Sequence, residues 1–200
     1  MARVSQAHLD ARRRQILDAA RRCFAANGFH STSMQDVLKE AGLSAGAVYR
    51  YFPSKDHIIA AISLETMREV AGVFTGALDA EQPPTPEELV GRALRTVQRL
   101  DEEQEAARLV IFVWAEALRT PTVRELVTTG VVEVRGLLAR MIAVWQERGM
   151  IGDAVPAQQL AQLMGSLLPG YIIQKTMMGD VSPESFAEGL GALLHSPART

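Results

Sequence analysis

An all-α fold in two helical regions is predicted from the spacing of the apolar residues and from the position of the prolines. Apolar side chains recur every three or four residues through most of the 200-residue chain, and this is the period of amphipathic helices. The clearest interruption lies at residues 79–86, where Pro83, Pro84 and Pro86 stand close together. We therefore expect a short N-terminal helical region and a longer C-terminal one.

The composition of the chain indicates the cellular compartment in which the protein acts. No run approaches 18 uncharged apolar residues, so no membrane span and no membrane partner are predicted. The N-terminus contains His8, Asp10 and several arginines instead of the apolar segment of a signal peptide. Cys23 is the single cysteine, which excludes an internal disulfide. We expect a soluble cytoplasmic protein.

Charge is distributed unevenly along the chain. Residues 1–56 contain nine Lys or Arg and five Asp or Glu, a net of +4, so the other 144 residues carry −6 of the total of −2. The near-neutral total does not favour a nucleic-acid partner. The basic N-terminal part does favour one, because a local positive field attracts phosphate.

The first helix is predicted from an apolar face that includes Ile16, Cys23 and Phe24. It ends at Gly28, where glycine can take the left-handed conformation of a helix cap. Three arginines at positions 12–14 stand near its start. Their guanidinium groups either contact phosphate or the minor groove, or are simply solvated, and the sequence leaves both interpretations open.

Residues 33–55 contain two short helical patterns joined by a turn at 41–43, the outline of a helix-turn-helix. Ser44 can cap the second pattern and Pro53 stops it. One arc of this second helix is apolar, whereas the opposite arc mixes very small side chains with long hydrogen-bonding ones. Small residues allow a close approach to another surface, and Tyr or Arg can reach phosphate oxygens or base edges. We call this opposite arc, which comprises Ala45, Gly46, Tyr49 and Arg50, the docking arc.

Candidate phosphate contacts flank the docking arc. Thr32 and Ser33 can each cap the second helix, which follows them, or donate a hydrogen bond to phosphate, and these roles are compatible. A long amphipathic helix is predicted from Ser54 to about residue 78. Lys55 lies in its first turn, where a free cation conflicts with the positive end of the helix dipole unless an anion binds there. The pattern therefore predicts a phosphate contact for Lys55.

Residues 16–58 resemble the DNA-binding domain of the TetR family of bacterial transcriptional regulators. The resemblance rests on Asn27-Gly28-Phe29, on Ala41-Gly42-Leu43-Ser44 and on Val48-Tyr49 followed by Tyr51-Phe52-Pro53-Ser54-Lys55. Leu38 departs from the family, which usually carries Ala there, so packing inside the helix pair should differ. The resemblance implies a three-helix helix-turn-helix domain over residues 1–55 and a helical ligand-binding and dimerisation domain over residues 56–200. The residues expected to contact double-stranded DNA are Thr32, Ser33, Ser44, Ala45, Gly46, Tyr49, Arg50, Tyr51 and Lys55.

Four helices and a shorter fifth are predicted beyond Pro86. Thr85 and Glu88 form the capping-box pattern of the first of them. Pro169 stands inside the fourth, together with Gly170, and should kink it. The expected helices lie near residues 86–103, 105–119, 121–148, 156–178 and 183–194.

A ligand cavity in this second region is a hypothesis. Aromatic and Met side chains adapt to apolar ligands, and Tyr171 adds one directional group. Glu116 follows a wholly apolar segment and can either recognise a cationic or hydroxylated ligand or pair with Arg119. Each of these residues is equally compatible with an ordinary core. The candidates are Met67, Phe74, Phe112, Trp114, Glu116, Met141, Trp145, Met164, Leu168 and Tyr171.

The last two predicted helices carry more apolar surface than one small domain can cover. A four-helix interface between two copies of the chain would cover it, and the family resemblance implies the same homodimer. A two-fold dimer would read the two half-sites of a palindromic operator. The residues expected at the dimer interface are Leu163, Leu167, Ile172, Ile173, Phe186, Leu190, Leu193 and Leu194.

The resemblance implies a repressor that a small apolar or amphipathic effector releases from its operator. Two alternatives stay open. A DNA-binding dimer that senses no ligand, or that acts as an activator, fits the same helix-turn-helix. An all-α enzyme is disfavoured, because the sequence has no phosphate-binding glycine loop, no metal-spaced His/Cys cluster and no Ser-His-Asp grouping. Neither a cofactor nor a metal is therefore expected.

Overall fold

The structure, a computed structural model, describes residues 6–195 of the chain. The described residues form ten α-helices and no strand, so the predicted all-α class is confirmed. None of the helices in this range is long and apolar enough to cross a membrane. The helices are α1 (Gln6–Asn27), α2 (Met34–Ala41), α3 (Ala45–Tyr49), α4 (Lys55–Leu78), α5 (Pro86–Gln104), α6 (Ala106–Ala117), α7 (Pro121–Glu147), α8 (Ala157–Gly165), α9 (Leu167–Met177) and α10 (Pro183–Leu194).

The chain divides into two compact units. The first combines the residues up to Glu65 with Arg108–Val127, and the second combines Thr66–Ala107 with the residues from Thr128 onward. α4 is a single helix that begins in the first unit and continues into the second. The domain boundary between residues 55 and 56 stays a prediction.

The first unit is built on α1, which starts at Gln6, six residues before the arginine cluster. Ile16, Leu17 and Phe24 on its inner face are fully buried. α2 begins with a capping box, in which the Ser33 hydroxyl accepts a hydrogen bond from the Asp36 N–H at 3.2 Å. It ends at Gly42, whose φ of 64° is the left-handed conformation that turns the chain toward α3.

α3, which carries the docking arc, is shorter than the helix that the sequence pattern predicted. Ser44 caps it by accepting from the Ala47 N–H at 3.4 Å, and Val48 anchors it in the core. After Tyr49 the chain tightens, because the N–H groups of Tyr51 and Phe52 both donate to the Val48 carbonyl, at 2.9 and 3.0 Å. Phe52 is thereby turned into the core of the first unit.

In the second unit α5 and α10 pack side by side. A Cβ added to Gly91 would lie 3.3 Å from the Ala187 Cβ, so the glycine permits this close approach. The predicted capping box of α5 is present, with the Thr85 hydroxyl accepting from the Glu88 N–H at 3.3 Å. Trp145 of α7 is fully buried and its indole N–H donates to the Pro84 carbonyl at 2.7 Å.

The helix expected over residues 156–178 is two helices, α8 and α9, which meet at Ser166. The cause is Pro169, which has no N–H to donate to the carbonyl of Gly165 and whose ring clashes with that carbonyl. The break therefore falls at the end of α8, three residues before the proline. Pro169 then occupies the first turn of α9, where a missing N–H costs nothing.

Candidate nucleic-acid interface

The docking arc is exposed on α3. Ala45, Gly46, Tyr49 and Arg50 all face solvent, and Tyr49 is 47% exposed, whereas Val48 on the opposite side of the helix is 0% exposed. Neither the Tyr49 side chain nor the Arg50 side chain forms a hydrogen bond or salt bridge with another described residue. The Arg50 guanidinium lies over the half-buried ring of Tyr51, 5.7 Å from its centroid. The hydrogen-bonding ends of Tyr49 and Arg50 are thus available to a partner.

Neither the packing nor the backbone conformation of the fold requires a glycine at position 46. A Cβ built at Gly46 would meet no heavy atom within 4 Å, and its φ is outside the left-handed region. Within a helix, glycine costs roughly 0.5–1 kcal/mol relative to alanine. A glycine that packing does not require, on the exposed side of a short helix, is the residue type that allows another surface to come close.

Several contacts from α1 hold the turn in front of α3. The Gln15 side-chain amide donates to the Ala41 carbonyl at 2.8 Å, which satisfies one of the free carbonyls at the end of α2. The Arg22 guanidinium pairs with the Glu40 carboxylate at 2.6 Å. The Leu43 N–H donates to the Leu38 carbonyl at 3.2 Å and completes the glycine-centred cap. α3 is therefore presented on a turn that is fixed from two sides.

Lys55 is not the free cation that its position suggested. Its ammonium donates to the Phe29 carbonyl at 2.6 Å and to the Thr32 carbonyl at 2.8 Å, and lies 4.3 Å from the centroid of the Phe29 ring. These carbonyls offset the unfavourable position of the charge in the first turn of α4. Lys55 therefore fastens the loop between α1 and α2, and a phosphate contact stays a prediction that has lost its original support.

The Thr32 hydroxyl is used inside its own loop, and the phosphate role expected for this residue stays a prediction that the geometry does not support. The residue is 1% exposed, and its hydroxyl donates to the carbonyls of Gly28, at 2.8 Å, and Cys23, at 3.1 Å. Ser33 is exposed, but its hydroxyl donates to the Asp36 carboxylate at 2.7 Å. The hydrogen bonds from Ser33 lower the pKa of Asp36. Both side chains therefore serve the loop and the α2 cap.

The candidate ligand-binding residues do not all lie in one unit. Phe112, Trp114 and Glu116 lie in the first unit, and the other seven lie in the second. Glu116 does not pair with Arg119. One of its oxygens accepts a hydrogen bond from the Thr120 hydroxyl, and the other, Oε2, lies 3.9 Å from His30 Nε2 and accepts no hydrogen bond from a described residue. The remaining candidates are Met67, Phe74, Met141, Trp145, Met164, Leu168 and Tyr171.

The Tyr171 hydroxyl is another buried polar group without a hydrogen-bond partner in the described part of the chain, as are Ser63 Oγ and Glu87 Oε2. The Tyr171 ring is fully buried and packs edge-on against Phe186, with centroids 5.4 Å apart. Burial raises the pKa of Tyr171, and the nearby charges of Glu184 and Asp101 raise it further. The hydroxyl therefore stays protonated and can donate a hydrogen bond to a ligand or a water molecule.

The expected dimer residues divide between the inner and outer faces of their helices. Ile172 is only 4% exposed and packs inside its own chain, because neighbouring positions on a helix face different ways. Met177 and Met178 are strongly exposed, and Met177 follows Ile173 by four residues. The dimer interface stays a prediction. Leu163, Ile173, Leu193 and Leu194 are exposed, and Leu167, Phe186 and Leu190 are half-buried.

Residues 16–62 match the family model described as bacterial regulatory proteins of the tetR family. The structure of Salmonella enterica GusR has a TM-score of 0.77 to this chain and 30% sequence identity, covering 96% of this chain and 97% of GusR. The chain belongs to the TetR family. The family resemblance of residues 16–58 is thereby confirmed.

Two relatives, one similar over most of this chain and one over about a third of it, are both described as transcriptional regulators. The HTH-type transcriptional regulator UidR of Escherichia coli K12 is 28% identical over 183 residues, which cover 91% of this chain and 90% of UidR. The HTH-type transcriptional repressor Rv1474c of Mycobacterium tuberculosis is 42% identical over 73 residues, 36% of this chain and 39% of that protein. This TetR-family chain is therefore a DNA-binding transcriptional regulator and not an enzyme.

Proposed function

We propose that this TetR-family regulator is a cytoplasmic repressor that binds a palindromic operator as a homodimer and leaves it when a small apolar or amphipathic ligand binds. The observation that carries the DNA-binding part is the docking arc. Its two long polar side chains have no hydrogen-bond partner among the described residues, and its glycine is not required by packing.

α3 enters the major groove in this proposal. Ala45 and Gly46, in its first turn, allow the backbone to approach the DNA, and the Ser44 cap fixes where that turn begins. Arg50 reaches a base edge, for which the bidentate contact to guanine is the commonest geometry. Tyr49 donates to a phosphate or a base, so it contributes affinity in either position.

The dimer follows from the shortness of the recognition helix. α3 has five residues, too few to bury the surface of a specific protein–DNA interface by itself. The exposed side chains of Leu163, Ile173 and Leu193 offer an apolar face that a second copy would cover. A two-fold dimer places its recognition helices on half-sites about one turn of DNA, roughly 34–36 Å, or a multiple of it, apart.

The ligand part of the proposal is supported by the buried polar atoms. The Tyr171 hydroxyl and the Glu116 Oε2 atom are buried and have no hydrogen-bond partner among the described residues. Leaving such a group unsatisfied costs about 1–3 kcal/mol, so a ligand that satisfied one would gain that much. By reciprocity, operator DNA must weaken the binding of the ligand by the factor that the ligand weakens the binding of DNA.

The test is a selection of duplexes from a random pool by the purified protein at fixed salt, followed by binding in the presence of ligands. We expect an inverted repeat to emerge, and a long-chain fatty acid, an alkyl glycoside or an alkylammonium salt to raise the melting temperature and release the duplex. A selected site without two-fold symmetry would refute the palindrome. A DNA-bound protein that no metabolite fraction affects would be a regulator that senses no ligand.

A further inference from the structure

Two arginines of α1 bind one carboxylate of α4. Arg13 Nη1 lies 2.6 Å from Glu65 Oε1, and Arg21 Nη2 lies 2.5 Å from Glu65 Oε2, so both oxygens of the carboxylate are occupied. Arg21 also pairs with Asp18 at 2.8 Å. All of these side chains except that of Asp18 are partly buried, and Arg21 is the most enclosed. We call Arg13, Arg21 and Glu65 the arginine clamp.

The arginine clamp reaches the recognition helix through an aromatic ring. The Arg13 guanidinium lies 5.3 Å from the centroid of the Phe52 ring, within the range of a cation–π contact. Phe52 is buried, and its N–H donates to the carbonyl of Val48, the residue that anchors α3 in the core. One side chain, Arg13, therefore contacts both α4 and the residue at the exit of α3.

We propose that Arg13 and Glu65 are positioning residues for DNA recognition: Glu65 holds the Arg13 guanidinium against Phe52, and this contact sets the orientation of α3. The inference rests on the proposed role of the docking arc. Glu65 is the last residue of α4 that belongs to the first unit, and the helix continues beyond it. A displacement of α4 therefore acts on α1 and on the exit of α3 through this carboxylate.

The alternative role for Arg13 is a direct phosphate contact. The two roles make opposite predictions for the neutral variant Glu65→Gln. Removing a negative charge strengthens the attraction of the unit for DNA if only the charge matters. If Glu65 positions α3 through Arg13, the same change weakens operator binding, because glutamine accepts from one arginine only and turns an amide N–H toward the other.

The experiment compares Glu65→Gln and Arg13→Gln with the wild-type protein on two duplexes, the selected inverted repeat and a shuffled duplex of equal length. Affinities are measured over a range of salt concentrations, well below the unfolding midpoint of each variant. Glu69→Gln is the matched control, since it removes the same charge four residues further along α4, where Glu69 pairs with Arg99 at 3.2 Å on the exposed surface. Arg13→Lys, which keeps the charge but loses the planar fork, replaces Arg13→Gln if that variant does not fold.

We expect Glu65→Gln and Arg13→Gln each to weaken operator binding about tenfold, the worth of a modest base contact. Binding of Glu65→Gln to the shuffled duplex should be unchanged or tighter, with the same salt slope. The double variant should lose little more than either single one, because both break the same clamp. A merely structural role would lower the melting temperature without changing the ratio of the two affinities.

Two results would overturn the inference. One is a Glu65→Gln protein that binds the operator as tightly as Glu69→Gln does. The other is an Arg13→Gln protein whose affinity falls by the same factor for both duplexes and whose salt slope falls by about 1. This is the behaviour expected when a phosphate contact is lost. If the wild-type protein selects no duplex at all, the proposed function fails and the positioning role fails with it. If instead the wild-type protein binds the operator specifically and the clamp variants bind it equally well, the proposed function stands and only the positioning role fails.

Discussion

Replacing Gly46 by alanine should have opposite effects on the stability of the fold and on the affinity for DNA. The added methyl group meets no atom within 4 Å in the free protein, so the helix propensity of alanine acts alone. That propensity is worth roughly 0.5–1 kcal/mol. For a domain of this size we expect the melting temperature to rise by about 1–4 °C.

The same methyl group should weaken the complex with the operator. In the proposed complex the Gly46 backbone approaches the DNA closely, and forcing an extra methyl group into a packed contact costs typically 1–3 kcal/mol. This corresponds to a loss of affinity of roughly 5- to 150-fold. The change should therefore make the protein more stable and a weaker binder, two effects that a general disturbance of the fold cannot produce together.

The measurement pairs thermal unfolding of the free protein with operator binding at fixed salt. Gly136→Ala is the matched control, because Gly136 lies in α7, is exposed and has equally open space around its Cβ position. Gly136→Ala should give a similar gain in stability with no change in DNA affinity. Operator binding by Gly46→Ala that equals that of Gly136→Ala would show that α3 does not approach DNA through Gly46.

Three further changes test individual side chains. Arg50→Ala should relax the preference at one base position by about 1–3 kcal/mol, measured by repeating the duplex selection; an unchanged preference would make Arg50 a phosphate contact instead. Lys55→Met should lower the melting temperature, because the Phe29 and Thr32 carbonyls lose a charged donor, while the salt slope of DNA binding stays constant; a slope lower by about 1 would restore the phosphate role. Tyr171→Phe should keep or raise the free energy of unfolding at neutral pH, since the hydroxyl has no partner among the described residues. Because the pKa of Tyr171 is raised in the folded state, wild-type stability should fall as pH rises above the ordinary tyrosine value of 10.0, and urea unfolding at neutral and alkaline pH should show a smaller fall for Tyr171→Phe.

Local signals in the sequence predicted the helices well where a cap or a proline fixes the end. The cap at Ser33, the capping box at Thr85, the left-handed glycine at position 28 and the start of α4 all depend on residues within four positions of one another. The break between α8 and α9 was placed too late. The clash made by Pro169 lies with the carbonyl four residues earlier, so the sequence already contained the signal for a break near Ser166.

The roles of Lys55 and Thr32 could not be predicted in the same way. The carbonyls that accept from Lys55 lie 23 to 26 residues away in sequence, and the Cys23 carbonyl that accepts from Thr32 lies nine residues away. Every residue of a loop has a backbone carbonyl, so the sequence does not indicate which carbonyl accepts a hydrogen bond from a distant side chain. Only the fold shows which of these carbonyls meets a lysine or a threonine.

The internal partners of the basic residues sharpen the electrostatic argument made from the sequence. The net charge of +4 for residues 1–56 already subtracts five acidic side chains, but it does not say which of the cations are held by partners inside the protein. In the first unit, however, Arg13 and Arg21 bind Glu65, Arg22 binds Glu40, and Lys55 faces loop carbonyls. The Arg50 side chain forms no salt bridge or hydrogen bond with another described residue, and it lies on the docking arc. The charge of Arg50 therefore lies where the proposed complex would meet DNA, whereas the charges of Arg13, Arg21, Arg22 and Lys55 are held by partners inside the protein.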